Sequence, residues 1–115
     1  MIHIGSERFE ELVADALDAI PEAFGRQMDN VWVTVEDVPE IAGLLGLYQG
    51  VPLTERDSGY AGMVMPDRIT LYRIPICAHC RTEAQVVDMV RTTVIHEVAH
   101  HFGISDDRLD ELGWA

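Results

Sequence analysis

The sequence predicts an α+β fold, and three patterns predict it. Apolar residues recur at helical spacing in Ser6–Ile20 and again in Glu83–Gly103. Val31–Asp37 alternates with period two. Two further apolar runs, Gly59–Met65 and Arg68–Ile76, meet at Pro66-Asp67. At 115 residues and 12.9 kDa the chain is expected to be one domain, 1–115, with a single core.

In Ser6–Ile20, Phe9, Leu12, Val13, Ala16, Leu17 and Ile20 share one helical face, and Pro21 closes the run. Ser6 is the expected cap, with Glu7, Glu10 and Glu11 near the positive end of the helix. Asp15 and Asp18 read as a solvated face. Val31–Asp37 is a strand with Val31, Val33 and Val35 on one face, and Trp32 is expected to pack rather than meet substrate. Pro39–Gly50 is apolar and punctuated by three glycines, so it fits a short helix, a compact loop or a subunit contact, and a homodimer is one expectation. Pro66-Asp67 reads as the turn of an antiparallel hairpin. Because Pro75 cannot donate to a ladder, Arg68–Ile76 is expected to be an edge strand or to end there. An edge beside a metal cleft would let an extended peptide pair with the backbone.

Composition narrows the function classes. Twenty acids against eight Lys and Arg leave a net charge of −12. Phosphate-backbone binding needs clustered cations, so nucleic acid is excluded as a partner, and an anionic membrane surface is disfavoured for the same reason. The opening MIHIGSERFEELV has no basic region followed by an apolar run, and no stretch is apolar enough to span a bilayer. A cytoplasmic location is the expectation. Two cysteines do not make a disulfide framework. Cys77 and Cys80 form a lone CxxC that a redox couple would use, or half a zinc site with His79 as an improvised third ligand, but loop packing is the simpler reading.

The chemistry is concentrated in Glu83–Asp106. Thr82 is the expected cap of this helix, Glu83 stands in its first turn, and Val86, Val90, Val94 and Val98 form an i, i+4 stripe facing the core. Thr92, Thr93, Val94 and Ile95 are β-branched, so burial rather than propensity must keep the segment helical. His96-Glu97-Val98-Ala99-His100 is an H-E-x-x-H pattern. Residues four apart on a helix lie about 40° apart around its axis, so His96 and His100 can aim both imidazoles at one zinc ion. Glu97 then stands on the adjacent strip as general base toward a metal-activated water.

Gly103 suits the left-handed turn that ends a helix, and Asp106 follows three residues later. Asp106 is either the third ligand or a helix-start acid behind a Ser105 cap, and its registration with the two histidines favours the ligand. H-E-x-x-H alone arises by chance in roughly 2% of chains of this composition, and requiring Gly and Asp at their places lowers that to about one in ten thousand. Asp107 has no such registration and reads as a helix-start acid, His101 as a structural, hydrogen-bonded residue, and His3 as surface.

HEVAHHFGISDDRLDELG, with the upstream ITLYRIPI, resembles the small bacterial zincin-like metallopeptidases that carry the Asp-type HExxHxxGxxD motif. The resemblance runs through most of the chain, more loosely before Tyr60. It implies a minimal zincin-like fold: a small mixed β-sheet packed against an N-terminal helix and the active-site helix, with a short C-terminal helix. It also implies one catalytic Zn2+ held by His96, His100 and Asp106 and Glu97 as general base, and leaves the substrate undefined; zinc-dependent peptide hydrolysis is the expected chemistry, with a peptide or protein as substrate. Two departures from the larger metzincins stand out. Aspartate occupies the place of a third histidine, and no Met follows to build their Met-turn. Leu109, Leu112 and Trp114 are the large apolar residues left to floor the site, with Trp114 the bulkiest. Tyr60 and Tyr72 could stabilise an oxyanion but read more simply as packing residues. A small domain with an anionic third ligand also fits a second reading, a catalytically weak zincin-like domain serving as a binding or regulatory module.

Overall fold

In a computed structural model, which describes residues 1–25, 28, 30–50, 66–105, 107, 108 and 111, seven elements follow one another. They are α1 (Ser6–Asp18), α2 (Glu22–Gly25), β1 (Val31–Glu36), β2 (Gly46–Gln49), β3 (Asp67–Tyr72), α3 (Arg73–Ala78) and α4 (Glu83–His101). The three strands form one mixed sheet in the order β1-β3-β2. β1 runs parallel to β3 with Val33 opposite Ile69, and β2 runs antiparallel to it with Tyr48 opposite Ile69. This is the expected α+β architecture: a small mixed sheet with helices packed on it.

The central position of β3 explains its sequence. Ile69 and Leu71 are fully buried and face α1 and α4 through one core with Phe9, Val86 and Val90. Burying each such side chain contributes about 1.5–3 kcal/mol. Val31, Val33 and Val35 extend this layer from β1, as their alternation predicts. On the other face the Thr34 and Thr70 hydroxyls meet at 3.2 Å, and Trp32 is 56% exposed. Trp32 therefore does not pack into the core as expected.

Further expectations need correction. Arg68–Ile76 is not an edge strand: its first part lies inside the central strand, and its second part turns into α3 at Arg73. Pro75 falls in the first turn of α3, where a backbone N–H has no helical partner to lose. Pro66-Asp67 leads into β3 directly, and its supposed partner run, Gly59–Met65, lies outside the described residues. Within Pro39–Gly50 the structured element is β2 rather than a helix. α1 begins at Ser6 itself, behind Gly5, with no side-chain cap. Its buried face of Phe9, Leu12, Val13 and Ala16 is the one the spacing predicts.

α4 has the architecture its sequence requires. The Thr82 hydroxyl accepts the Gln85 N–H at 3.2 Å, closing the N-terminus. Val86, Val90, Val94 and Val98 are all buried. Thr92 and Thr93 donate their hydroxyls to the carbonyls of Asp88 and Met89, four residues back. The helix ends in a Schellman turn. Gly103 adopts φ +74°, its N–H reaches the His100 carbonyl at 3.0 Å, and Ile104 N–H reaches the Ala99 carbonyl at 2.9 Å. Beyond it, Asp107, Arg108 and Glu111 are helical, and the Ser105 hydroxyl accepts the Arg108 N–H at 3.2 Å. The rest of the expected C-terminal helix, with Leu109, Leu112 and Trp114, lies outside the described residues. Among the described residues no helix is long and apolar enough to cross a membrane.

Candidate metal centre

His96, Glu97 and His100 lie on the half-buried flank of the last turns of α4, beside β2. The approach of the two elements is close because Gly46 has no side chain. A Cβ there would lie 2.8 Å from Thr93 Cγ2 and 3.2 Å from Glu97 Cγ. The strand thus runs against the stem of the candidate base. Two residues further along the same strand face comes Tyr48, and a strand step of two, about 6.6 Å, roughly matches one helical turn of about 5.4 Å. Tyr48 accordingly meets the next turn of α4. Its ring lies 6.5 Å from the His100 ring and within 12° of parallel, and 6.1 Å from the His101 ring, edge to face.

Beneath these rings is a buried polar cluster. Asp67 is 1% exposed and His101 is fully buried. The Asp67 Oδ2 atom receives the Tyr48 hydroxyl at 2.7 Å and stands 2.6 Å from His101 Nδ1. A carboxylate can only accept, so Nδ1 is the protonated nitrogen of that imidazole. Gly50 closes the cluster from above, since a Cβ on it would collide with the Asp67 carboxylate. His101 is therefore the structural, hydrogen-bonded histidine its position on the helix predicts.

Of the expected metal ligands, His96 and His100 stand four apart on α4 with Glu97 next to His96, while Asp106 lies outside the described residues. No group of three His, Cys, Asp or Glu forms a metal cluster among the described residues. Two imidazoles four apart on one helix, half-accessible and flanked by a carboxylate, match zinc in donor type. Cys77 and Cys80 are buried free thiols, and burial raises the pKa of both. Thiols so placed are poor nucleophiles, which favours the packing reading of the CxxC pair. His79 beside them is exposed, as are His3 and Asp107. Tyr72 is buried, and its hydroxyl pKa is raised by burial and further by Glu36, Glu40 and Glu97. Its burial fits the packing reading. Tyr60 lies outside the described residues.

Sequence reasoning missed Gly46, Tyr48 and Asp67. For Asp67 a signal existed: in DRITLY it shares the inward face with Ile69 and Leu71, and an acid on an apolar strand face calls for a buried partner. No comparable signal marked Tyr48, because a four-residue strand carries too little periodicity.

A helix bearing H-E-x-x-H, laid against a small mixed sheet, is the class of structure in which metal-dependent peptidases place their ligands and base. The family model for zincin-like metallopeptidases matches residues 28–114, and the chain belongs to that family. Among solved structures the chain is similar to a conserved hypothetical protein from Thermo thermophilus. The two share 25% identity and a TM-score of 0.56, over 95% of this chain and 97% of the other. No curated protein matches the sequence significantly.

Proposed function

We propose that the protein is a zinc-dependent peptidase in which His96, His100 and Asp106 hold the metal and Glu97 is the general base. The observation that carries this reading is the placement of His96, Glu97 and His100 together on the half-buried flank of α4, beside β2. Membership of the zincin-like family supports it, as does the Asp-type extension of the motif through Gly103, whose left-handed turn redirects the chain just before Asp106.

When bound, zinc would supply a more acidic water and a polarised scissile carbonyl. The Glu97 carboxylate accepts a proton from the attacking water as its oxygen bonds to the carbonyl carbon. Glu97 then delivers that proton to the amine nitrogen as the C–N bond breaks. The substrate class is an extended peptide. β2 is the strand that runs against the stem of Glu97 at Gly46, so a peptide extended alongside it would lie next to the base.

The test is zinc content after purification without chelator, followed by a mixed peptide library with wild type and Glu97→Ala. Stoichiometric zinc, with cleavage lost in Glu97→Ala, is the expected result. Absence of both zinc and cleavage would replace the peptidase with a binding or regulatory module. Unchanged zinc content in His96→Ala would show that the metal site is elsewhere.

A further inference from the structure

We propose that Tyr48 is a positioning residue for His100, anchored through Asp67 to His101; the inference rests on the zinc-site reading above. His100 stands in the last turn of α4, half-exposed, and an imidazole ligand serves best when its rotamer is set before the metal arrives. A ligand that must be ordered at the moment of metal binding weakens affinity by the entropy lost, and a ligand already held does not. The Tyr48 ring lies nearly parallel to His100 at 6.5 Å, within the range of aromatic contact.

The ring itself cannot swing away. Its hydroxyl donates to Asp67 Oδ2 at 2.7 Å, and the same oxygen is held 2.6 Å from the fully buried His101. The edge of the ring meets the His101 imidazole at 6.1 Å. Tyr48 is thus wedged between two consecutive histidines of α4, one reaching toward solvent and one locked in the core. The single phenol proton is committed to Asp67. Tyr48 therefore serves as a fixed wall for His100 and not as a hydrogen-bond donor to substrate. The contact crosses from β2 to α4, so it also ties the strand that runs against Glu97 to the residue proposed to hold the metal.

The experiment measures zinc affinity by competition with a chromophoric chelator, and the visible spectrum of the cobalt(II) form, for wild type, Tyr48→Phe, Tyr48→Leu and Val13→Ala. Val13 is buried in α1 and is absent from the site, so its variant reports the effect of lost stability alone. We expect Tyr48→Leu to bind zinc about ten-fold more weakly, with altered cobalt bands. Tyr48→Phe, which keeps the ring and loses its anchor, falls in between, and Val13→Ala binds as wild type. Wild-type affinity and spectrum in Tyr48→Leu overturn the proposal, as does an equal loss in Val13→Ala. Should Tyr48→Leu fail to fold, Tyr48→Phe decides: weaker zinc binding supports the proposal and unchanged binding overturns it. A wild type that binds no zinc, or a His96→Ala variant that binds it equally well, overturns the metal-site reading and this inference together, a result distinct from normal binding by wild type and Tyr48→Leu alike.

Discussion

The two ends of α4 are held in place by different physics. Its first three turns are fixed by apolar contact: Val86, Val90 and Val94 are essentially without exposure and meet Phe9, Ile69 and Leu71. Its last turn is fixed by the Asp67, Tyr48 and His101 cluster, a few short polar contacts around one carboxylate oxygen. Apolar contact is graded, so each methyl removed costs its own share. A buried polar cluster is not graded, because deleting one member strands the others away from water. The end that carries the candidate ligands is therefore the end that specifies a unique geometry.

The most severe way to break this contrast is to put a charge in the valine stripe. Val90→Asp buries an unpaired carboxylate and should abolish the cooperative thermal transition. Next comes Asp67→Ala, which strands the Tyr48 hydroxyl and His101 Nδ1; we expect a loss of about 3 kcal/mol by urea unfolding. Combining Asp67→Leu with His101→Leu should cost clearly less than the sum of the single changes. Full additivity there would show that the cluster does not act as a unit. Val86→Ala and Val94→Ala should each cost about 2 kcal/mol and add, since eight residues along a helix separate them by about 12 Å. Thr82→Ala, which removes only the cap contact to Gln85, should cost about 1 kcal/mol.

The smallest effect concerns pH. The folded chain holds Cys77 and Cys80 protonated above their ordinary range because burial disfavours the thiolates. That contribution to stability is complete below an ordinary thiol pKa of about 8.5 and is lost as pH rises through the higher folded values. Alkylation at pH 8, followed by mass spectrometry, should be far slower in native protein than in urea. Equal rates would show that these thiols are accessible.

The same contrast governs what could be read from the sequence. The valine stripe, the Thr82 cap and the Gly103 turn involve neighbours within a few residues, so their spacing announces them. So does the alternation of β1. The polar cluster joins residues 19 and 34 positions apart in sequence, and no local pattern links Tyr48 to Asp67 or Asp67 to His101. Pro75 left two readings open, an edge strand or a strand that ends, and only tertiary placement shows that β3 is central and ends at Tyr72 as α3 begins. The strand order β1-β3-β2 likewise depends on pairing across long separations, which hydrophobic periodicity does not encode. The candidate site was legible for His96, Glu97 and His100 because H-E-x-x-H is a local helical spacing, whereas its support from β2 was not.

The parallel pairing of β1 with β3 has a kinetic consequence. Val31 lies opposite Asp67, so the first rung of that ladder closes a large loop of chain before any contact compensates for the ordering. High contact order of this kind slows folding. α1, rich in helix-forming residues, can form its turns early from local contacts, but Asp67 reaches His101 only once the central strand has docked. The polar cluster at the candidate end of α4 should therefore complete in the last refolding phase, later than helical circular dichroism.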